Sequence, residues 1–292
     1  MIDATTFEQH RRMLFGIAYR MLGSVADAED LVQDTWLRCS QVSTAVDNPA
    51  GYLTRTVTNL ALNRLTSAAA TREQYVGPWL PEPLVTQPDA AEEVELAESV
   101  SLAMLVVLDT LSPLERAVFI LKEVFGFSFR EIAAMLERGE ASVRQVGHRA
   151  RAHVQARRPR YDTPAEVRRQ VTDEFLAACV GGDINRMMEL LAPDVTAWSD
   201  GGGKVKAAVR PQRGADKVAR FLAAVVTQPM EDPRVHAVDV NGSPGLLLTV
   251  AGRPDTVACV EVADGRITEI RIIRNPDKLR HLRPPQAPEP RP

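Results

Sequence analysis

The sequence predicts a multidomain protein in which two all-α domains are followed by one α+β domain. Apolar residues recur three and four positions apart, the spacing of a helix face, through most segments before Pro159. After Pro159 the pattern changes to short alternating runs, and the dipeptides Asn241-Gly242 and Asp264-Gly265 indicate two β-hairpins. Helices that precede an antiparallel sheet of roughly six strands make this last domain α+β.

The length and composition are those of a soluble globular protein with several cores. The 292 residues suffice for two or three domains, and the hydrophobic and charged fractions are 45% and 25%. The net charge of −3 argues against a protein that coats nucleic acid by bulk electrostatics. Any contact with DNA therefore needs a local basic patch or a partner that supplies the grip.

The cysteines and the N-terminus predict a cytoplasmic location. Cys39, Cys179 and Cys259 lie far apart, which is typical of reduced thiols and not of a disulfide framework or a metal site. The first residues are polar and acidic, unlike a signal peptide, and no apolar run approaches the ~20 residues of a transmembrane helix. We therefore expect a cytoplasmic protein without a metal or a cofactor.

Residues 1–72 predict the first all-α domain, which is built from three helices. The first helix is broken at Gly23-Ser24, and the third spans Gly51–Leu65. One face of the second helix carries residues at helical spacing: Asp30, Gln33 and Asp34, with Leu37. Taken alone, such an acidic face is more simply a solvated surface than a binding site.

A linker without helical periodicity, residues 73–98, follows the first domain. Pro78 and the motif Trp79-Leu-Pro-Glu-Pro-Leu84 place three prolines in seven residues. This density of proline excludes a helix and favours an extended backbone. The acidic stretch Asp89–Glu98 closes the linker.

Residues 99–160 predict a helix-turn-helix domain. Two capping boxes, Ser112–Glu115 and Ser128–Glu131, start consecutive helices, the first of which runs Pro113–Phe125. A short turn with Gly139 leads into a polar and basic helix, and the stretch Arg138–Arg160 has seven arginines against a single acid. Two short helices joined by a tight turn are typical of a motif whose second helix enters the major groove of DNA.

The alternative for this stretch is an ordinary helical hairpin with a solvated, charged face. Glu137 stands where a turn glycine would be expected, and Gly147 inside the second helix costs about 1 kcal/mol relative to alanine. Both details weaken the match, and the motif alone leaves the two alternatives open.

Residues 164–280 predict the α+β domain, and residues 281–292 predict a disordered, proline-rich tail. The expected helices are Ala165–Val180, Ile184–Leu191 and Ala215–Val226. The expected strands are Val195–Ser199, Val205–Val209, Val235–Val240, Leu246–Val250, Thr256–Val262 and Ile267–Ile273. The turn Asp200-Gly-Gly-Gly-Lys204 joins the first two strands, and Asn275-Pro-Asp-Lys-Leu279 follows the last.

Three blocks taken together resemble a known family. Asp27–Trp36, the helix Tyr52–Leu65 and the segment Leu111–Arg151 are similar, in order and spacing, to regions 2 and 4 of the extracytoplasmic-function (ECF) sigma factors. The remainder resembles a branch of that family that carries a C-terminal SnoaL-like (NTF2-like) domain, which has a cone-shaped α+β fold. The short motifs similar to that branch are Trp79–Leu84, Asp200–Lys204 and Asn275–Leu279.

The resemblance implies contacts with RNA polymerase and with promoter DNA. The helix that bears Asp30, Gln33 and Asp34 would dock on the clamp helices of the polymerase β′ subunit, and region 4 would contact the β flap. The third helix would contact the melted −10 element, because amide side chains suit the edges of extruded bases. The residues expected at the −10 element are Arg55, Asn59 and Asn63.

The basic helix of region 4 would recognise the −35 element. Its expected contacts are Ser142, Arg144, Gln145, His148, Arg149 and Arg151. Of these, Arg144, Gln145 and His148 would face base edges, whereas Arg149 and Arg151 would contact phosphates. Because core polymerase would supply most of the grip on DNA, this division also accounts for the low net charge.

The resemblance further implies that the C-terminal domain controls activity in place of a separate anti-sigma protein. We expect the three short motifs to form an intramolecular docking surface, with Trp79 as its apolar anchor, because a large aromatic ring gains little from full solvation. The expected docking residues are Trp79, Pro81, Pro83, Asp200, Lys204, Asn275, Asp277 and Lys278. An unidentified small ligand of the NTF2-like cavity is a further expected partner.

An enzyme would need a carboxylate or a histidine in that cavity. The candidates by position are Asp200, Asp239, Glu261 and His236, and none has a second group at a convincing spacing. The run Asp200–Lys204 also lacks the spacing of a phosphate-binding loop. We therefore expect a sigma factor and not an enzyme. The alternatives are a helix-turn-helix repressor with a ligand-binding domain, and an NTF2-like enzyme with an appended DNA-binding segment.

Overall fold

The computed structural model describes residues 2–42, 44, 46–72, 74–86, 100–157 and 163–283. The chain divides into two units: Met1–Gln74 with Ala103–Arg158, and Tyr75–Leu102 with Pro159–Pro292. The motif of the predicted linker 73–98 therefore belongs to the unit that contains the α+β domain. The acidic stretch Asp89–Glu98 and positions 284–292 of the expected tail lie outside the described residues.

Within these ranges, no helix has the length and hydropathy that crossing a membrane requires.

Three helices form the first part of the first unit: α1 Ala4–Leu22, α2 Val25–Ser40 and α3 Pro49–Arg72. Asp3 caps α1, because its carboxylate accepts a hydrogen bond from the Thr6 amide at 2.8 Å. The chain then turns at Gly23, whose φ of 69° lies in the left-handed region, and Ser24 caps α2. The predicted break between the first two helices is confirmed.

The next helical segments are α4 Leu102–Asp109, α5 Pro113–Phe119, a π-helical turn Ile120–Val124, α6 Phe129–Met135 and α7 Glu140–Arg157. Both predicted capping boxes are present, at the starts of α5 and α6. The helix expected at Pro113–Phe125 is not uniform, because the Phe125 amide donates to the Ile120 carbonyl, five residues earlier, at 3.2 Å. Apolar spacing does not reveal one inserted residue, which is all that a π-helical turn requires.

A buried arginine joins the early and late helices of the first unit. Arg116 of α5 is 2% exposed, and its Nε donates to the Arg20 carbonyl of α1 at 3.0 Å. The same guanidinium pairs with Asp109 at 2.9 Å. The Arg20 guanidinium in turn lies 5.5 Å from the centre of the Phe125 ring, and burial lowers the pKa of Arg20 to about 10. The two all-α segments thus share a polar contact that is shielded from water.

The described part of the second unit contains four helices and a seven-stranded sheet. The helices are α8 Ala165–Gly181, α9 Ile184–Leu190, α10 Ala215–Val226 and α11 Pro276–Leu279. The strands are β1 Val85–Thr86, β2 Leu191–Asp200, β3 Gln212–Arg213, β4 Arg234–Val240, β5 Ser243–Val250, β6 Arg253–Ala263 and β7 Arg266–Ile273. Their order in the sheet is β1-β4-β5-β6-β7-β2-β3.

The sheet departs from the prediction in three respects. It is not wholly antiparallel, because β2 and β7 pair in parallel. The prediction of a strand at Val205–Val209 is wrong: a turn at Gly201–Val205 takes the chain out of the ladder, and Val209 is 63% exposed. Two strands of the sheet were not expected: β1 comes from the proline-rich linker and pairs with β4, and the short β3 pairs with β2.

The turns and the core of this unit follow from local sequence. Asn241 and Asp264 adopt positive φ in the two hairpins that their following glycines predict. A third hairpin, at Ala251-Gly252, was not anticipated from the sequence. The core between helices and sheet includes Phe175, Met187, Val218, Val260 and Ile270.

Candidate functional site

The polar face of α2 is the first candidate surface, and the structure leaves it exposed. Asp30, Gln33 and Asp34 are exposed, whereas Leu31, Val32 and Thr35 on the opposite side are buried. The helix is therefore held by its apolar side, and its carboxylates remain available to a partner.

A cleft of about 430 Å³ opens beside this face, between α1 and α2. Asp30 and Gln33 line it together with Phe7 and Trp36, whose rings lie 5.1 Å apart at an angle of 54°. Phe7 is buried, whereas Trp36 is half-buried and presents aromatic surface of the kind that is enriched at protein–protein interfaces.

The three residues expected at the −10 element share one side of α3. Arg55, Asn59 and Asn63 follow at intervals of four residues, so their side chains lie along one face of the helix. Arg55 and Asn63 are exposed, and Asn59 is half-buried. The Arg55 guanidinium forms an ion pair with Glu137, in the turn between α6 and α7. One member of this set is therefore held by the helix-turn-helix segment.

In the turn between α6 and α7, Glu137 takes the place of the glycine that the helix-turn-helix pattern would lead one to expect. Its φ of 52° places the residue in the left-handed conformation that a turn glycine would adopt. The next amide, of Arg138, donates to the Ala133 carbonyl at 3.0 Å and closes the end of α6. A residue other than glycine is strained here by the order of 1 kcal/mol.

Helix α7 separates its buried and exposed residues as a DNA-binding helix requires. The buried side chains are Val143, Val146, Ala150 and Val154. The exposed side chains are Ser142, Arg144, Gln145, His148, Arg149 and Arg151. Within this set, Arg144, Gln145 and His148 line one shallow surface depression of about 520 Å³.

The arginines of α7 differ in their partners. Arg151 pairs with Glu123 at 2.7 Å, and Arg149 lies 3.8 Å from Glu115, so both contact carboxylates of the preceding helices. Arg144 instead pairs with Glu140 on its own helix at 2.5 Å. All three pairs are largely exposed and are worth at most about 1 kcal/mol each, so DNA phosphates or bases can replace these carboxylates at little cost.

In the second unit, a buried carboxylate accepts hydrogen bonds from the linker and from the last described helix. Asp200 is 0% exposed, and four groups donate to it. Its Oδ1 accepts from the Tyr75 hydroxyl at 2.5 Å and from the Gly202 amide at 3.1 Å. Its Oδ2 accepts from the Leu80 amide at 2.8 Å and from the Lys278 ammonium at 2.7 Å. Each oxygen of this carboxylate thus accepts from at least one group that is distant in sequence.

Lys278 is the cation of this cluster and is itself 6% exposed. Besides Asp200, its ammonium donates to the Leu80 carbonyl. The ammonium also lies 4.2 Å from the centre of the Trp79 ring and 4.9 Å from that of Tyr75, within the range of a cation–π interaction. The residues Tyr75, Trp79, Leu80, Asp200, Asn275 and Lys278 are called the docking cluster below.

The two other motifs complete the docking cluster. Asn275 donates to the Tyr75 hydroxyl at 2.8 Å and caps α11. A Cβ on Gly202 would lie 2.3 Å from Asn275 Nδ2, and the φ of 59° also favours glycine there. Lys204 forms an ion pair with Asp277, which lowers the pKa of that carboxyl. Burial and the bond to Asp200 raise the pKa of Tyr75.

A second set of contacts holds the linker at its other end. The Leu84 amide donates to Asn241 Oδ1 at 3.0 Å, and the Asn241 amide donates to the Leu84 carbonyl at 2.8 Å. His281 Nε2 lies 2.8 Å from the Pro83 carbonyl oxygen. Pro81 and Pro83, both expected in the docking surface, are buried.

The structure therefore brings together the docking residues named from sequence, and adds three that sequence reasoning missed. Tyr75 carried a signal, since it is an aromatic residue in the same proline-rich segment. Asn241 was noticed only as a turn residue, and His281 fell in a tail expected to be disordered. Their contacts depend on tertiary structure, which local sequence does not encode.

The residues considered for catalysis all have partners in the fold. Asp239 pairs with Arg169 at 3.1 Å, and His236 Nε2 lies 3.2 Å from the Thr249 hydroxyl. Burial raises the pKa of Glu261, whose carboxylate lies 3.5 Å from Arg271. Asp200 belongs to the docking cluster. Within the described ranges, no group of three or more His, Cys, Asp or Glu side chains could hold a metal ion.

Comparison with known proteins extends over nearly the whole chain. Sequence models match for Sigma-70 region 2 at residues 6–71, for Sigma-70, region 4 at residues 101–154, and for a SnoaL-like domain at residues 172–270. The ECF RNA polymerase sigma factor SigJ of Mycobacterium tuberculosis H37Rv is 38% identical over 95% of this chain and 93% of that protein.

Two further similarities agree with this one. The probable ECF RNA polymerase sigma factor SigI of M. tuberculosis is 31% identical, with 96% of each chain covered. The crystal structure of M. tuberculosis SigJ matches with a TM-score of 0.77 at 35% identity, over 94% of this chain and 98% of that chain.

Proposed function

Since the chain belongs to the ECF RNA polymerase sigma factors, we propose that it binds core RNA polymerase through α2 and directs transcription from promoters with −10 and −35 elements. This membership makes the chain a transcription factor and not an enzyme. The proposed function is therefore preferred to the two alternatives, a helix-turn-helix repressor with a ligand-binding domain and an NTF2-like enzyme with an appended DNA-binding segment.

Polymerase binding is assigned to the exposed face of α2. Asp30, Gln33 and Asp34 would meet the basic clamp helices of the β′ subunit, and the half-buried Trp36 in the neighbouring cleft would add apolar contact area. Carboxylates on an otherwise anchored helix fit such a partner, because a preorganised charged surface steers association and sets orientation. Region 4 would contact the β flap.

Recognition of the −35 element is assigned to α7. The observation that carries this assignment is the division of the helix, with Val143 and Val146 buried and Arg144, Gln145 and His148 exposed on one surface. Arginine and glutamine suit base edges in the major groove, and the two later arginines suit phosphates.

Recognition of the −10 element is assigned to Arg55, Asn59 and Asn63 on α3. The ion pair between Arg55 and Glu137 ties this surface to the helix-turn-helix segment. For Arg55 to contact DNA, the pair must open, so the arrangement described here fits the free protein better than a promoter complex. The exposed pair is worth at most about 1 kcal/mol, and polymerase and DNA can offset that cost.

Regulation is assigned to the docking cluster. A buried carboxylate and a buried ammonium are costly to remove from water, and they persist only when paired and hydrogen-bonded. Asp200 and Lys278 meet that condition only while Leu80, Trp79 and Tyr75 are in place. The docked linker thereby restricts the chain between the two sigma regions. Its release, by polymerase or by a ligand of the NTF2-like cavity, would be the switch.

Run-off transcription with core polymerase tests the proposed function. The full-length protein should confer transcription from a promoter with both elements, and a variant with Asp30→Lys and Asp34→Lys should lose polymerase binding while remaining folded. Reversal of the exposed carboxylates Glu166 and Asp173 on α8 makes the same change in net charge and serves as the control. Normal holoenzyme affinity in the α2 variant would contradict the assigned docking face.

A further inference from the structure

The glycine in the middle of the recognition helix is the starting point. Gly147 lies within α7, where glycine is unfavourable because it loses the most conformational freedom on folding. A Cβ built at this position would lie 2.7 Å from Cε1 and 3.2 Å from Cζ of Phe129. The Phe129 ring therefore occupies the space above the helix backbone that any larger residue would need.

The ring that fills this space also contacts the side chains on either side of Gly147. The Arg144 guanidinium carbon lies 5.9 Å from the ring centre, within cation–π range. The His148 ring lies 6.5 Å away at an angle of 37°, and the Lys122 ammonium approaches to 5.2 Å. Arg144 and His148 are exposed, whereas Phe129 is half-buried, so the ring forms a platform beneath them.

We propose that Phe129 is a positioning residue for promoter recognition, which orients Arg144 and His148 toward the −35 bases, and that Gly147 is glycine to admit its ring. The inference rests on the proposed function of α7. An arginine side chain loses considerable rotamer entropy when it contacts a base. A side chain already confined against the Phe129 ring loses less, and preorganisation of this kind improves discrimination.

A purely structural role for Phe129 makes a different prediction. The ring continues the apolar stripe of α6, next to Ile132, which is fully buried. If packing were its whole contribution, its loss would lower stability and weaken binding to all promoters by the same factor. A positioning role instead changes the preference for one base pair over others, with little effect on binding that depends on phosphates.

The test measures base preference with the full-length protein in holoenzyme. A set of promoters, each with one substitution in the −35 element, is assayed for holoenzyme binding. Arg144→Ala identifies the base pair that this arginine discriminates. Phe129→Leu should lower the preference at that same base pair by about two- to five-fold, the worth of one exposed cation–π contact. Phe129→Tyr retains an aromatic ring and should restore the preference.

Gly147→Ala provides the second arm and does not remove an apolar group. Alanine favours the helix by about 1 kcal/mol, and displacing the ring offsets that gain, so this variant should fold like the parent and yet lose preference as Phe129→Leu does. If Phe129→Leu does not fold, the base preference of Gly147→Ala alone tests the positioning role. Phe15→Leu on α1 removes a comparable half-buried ring far from α7 in sequence and should leave the preference unchanged.

Two outcomes would overturn the inference, and they are distinguishable. Uniform weakening on all promoters in Phe129→Leu, with an unchanged preference in Gly147→Ala, leaves the proposed function intact and removes the positioning role. An unchanged preference in Arg144→Ala contradicts the assignment of this arginine to a base, and the positioning role fails with it.

Discussion

The ammonium of Lys278 lies 2.7 Å from the carboxylate of Asp200, 78 residues earlier in the chain, and both groups are buried. Between them they hold the amide and the carbonyl of Leu80 in the linker. The pair therefore joins three distant segments, and its integrity should determine whether the linker stays docked.

Neutralising the buried carboxylate should release the linker. Asp200→Asn removes the carboxylate from a buried ion pair with Lys278, a change that typically costs about 3–5 kcal/mol. Hydrogen exchange at Leu80 and Leu84 should therefore become much faster, and this can be measured on peptides that cover residues 75–86. Lys204→Met removes the exposed ion pair with Asp277. It should change the free energy of opening, measured by hydrogen exchange, by less than about 1 kcal/mol. Unchanged exchange at Leu80 in Asp200→Asn would show that the cluster does not hold the linker.

Alkaline pH should release the linker through Tyr75. Burial and the hydrogen bond to Asp200 raise its pKa above the ordinary value of 10.0. The undocked phenol therefore loses its proton first as pH rises past 10, whereas the docked phenol keeps it, so docking is fully stable below that pH and weakens above it. A tyrosinate titration should show one late-titrating group that is absent in Tyr75→Phe. Identical titration curves for the two proteins would contradict this role.

The contact between Arg55 and Glu137 should restrain the −10 surface. Glu137→Gln breaks the ion pair at a residue with φ of 52°, and it should speed open-complex formation by at most about five-fold, since exposed pairs contribute ~1 kcal/mol or less. Glu137→Gly should give the same acceleration and, in addition, raise the stability of the fold by relieving left-handed strain. Stopped-flow promoter opening and thermal unfolding separate the two effects. No acceleration in either variant would mean that the pair does not limit access to the −10 element.

The two DNA surfaces should be separable by mutation. Arg144→Ala should lose roughly 1–3 kcal/mol of discrimination at one −35 position, the usual worth of a good base contact. Asn59→Ala should leave binding to a −35 duplex intact and impair opening of the −10 element. Binding to the duplex and permanganate detection of melted bases measure the two steps. Weaker binding of Asn59→Ala to the −35 duplex alone would contradict the division.

Much of this architecture follows from local sequence. The capping boxes at Ser112 and Ser128 and the hairpins at Asn241 and Asp264 depend on residues within a few positions, and all are present. The α2 face and the exposed side of α7 follow from helical spacing, so their exposure was predictable as well.

The structure differs from the sequence-based prediction where contacts with residues distant in the chain determine the local conformation. The Val205–Val209 segment alternates like a strand, but it pairs with nothing in the ladder because the turn after Asp200 directs the chain elsewhere. The π-helical turn, the parallel pairing of β2 with β7 and the edge strand β1 likewise depend on partners that the local pattern does not specify. The same holds for Tyr75 and His281, whose roles became visible only with their contacts to Asp200 and Pro83.

Removal of the chain beyond Asn275 should activate the protein. This truncation deletes α11 with Lys278 and Asp277, so Asp200 loses its buried cation and Trp79 loses the charge above its ring. The linker should then detach, and transcription in a run-off assay should rise above that of the full-length protein. Lys278→Met keeps the chain length and should reproduce most of the effect, because it removes the same cation.

Deletion of the whole domain from Pro164 tests whether the C-terminal domain only restrains the sigma regions or also assists polymerase binding. Higher activity than that of the full-length protein means that the domain only restrains the sigma regions, whereas lower activity means that it also assists polymerase binding. In either case the protein truncated after Asn275 should be more active in transcription than the full-length protein, because the truncation removes the restraint and keeps most of the domain. Equal activity of the full-length protein, both truncations and Lys278→Met would show that the C-terminal domain is a passenger in transcription.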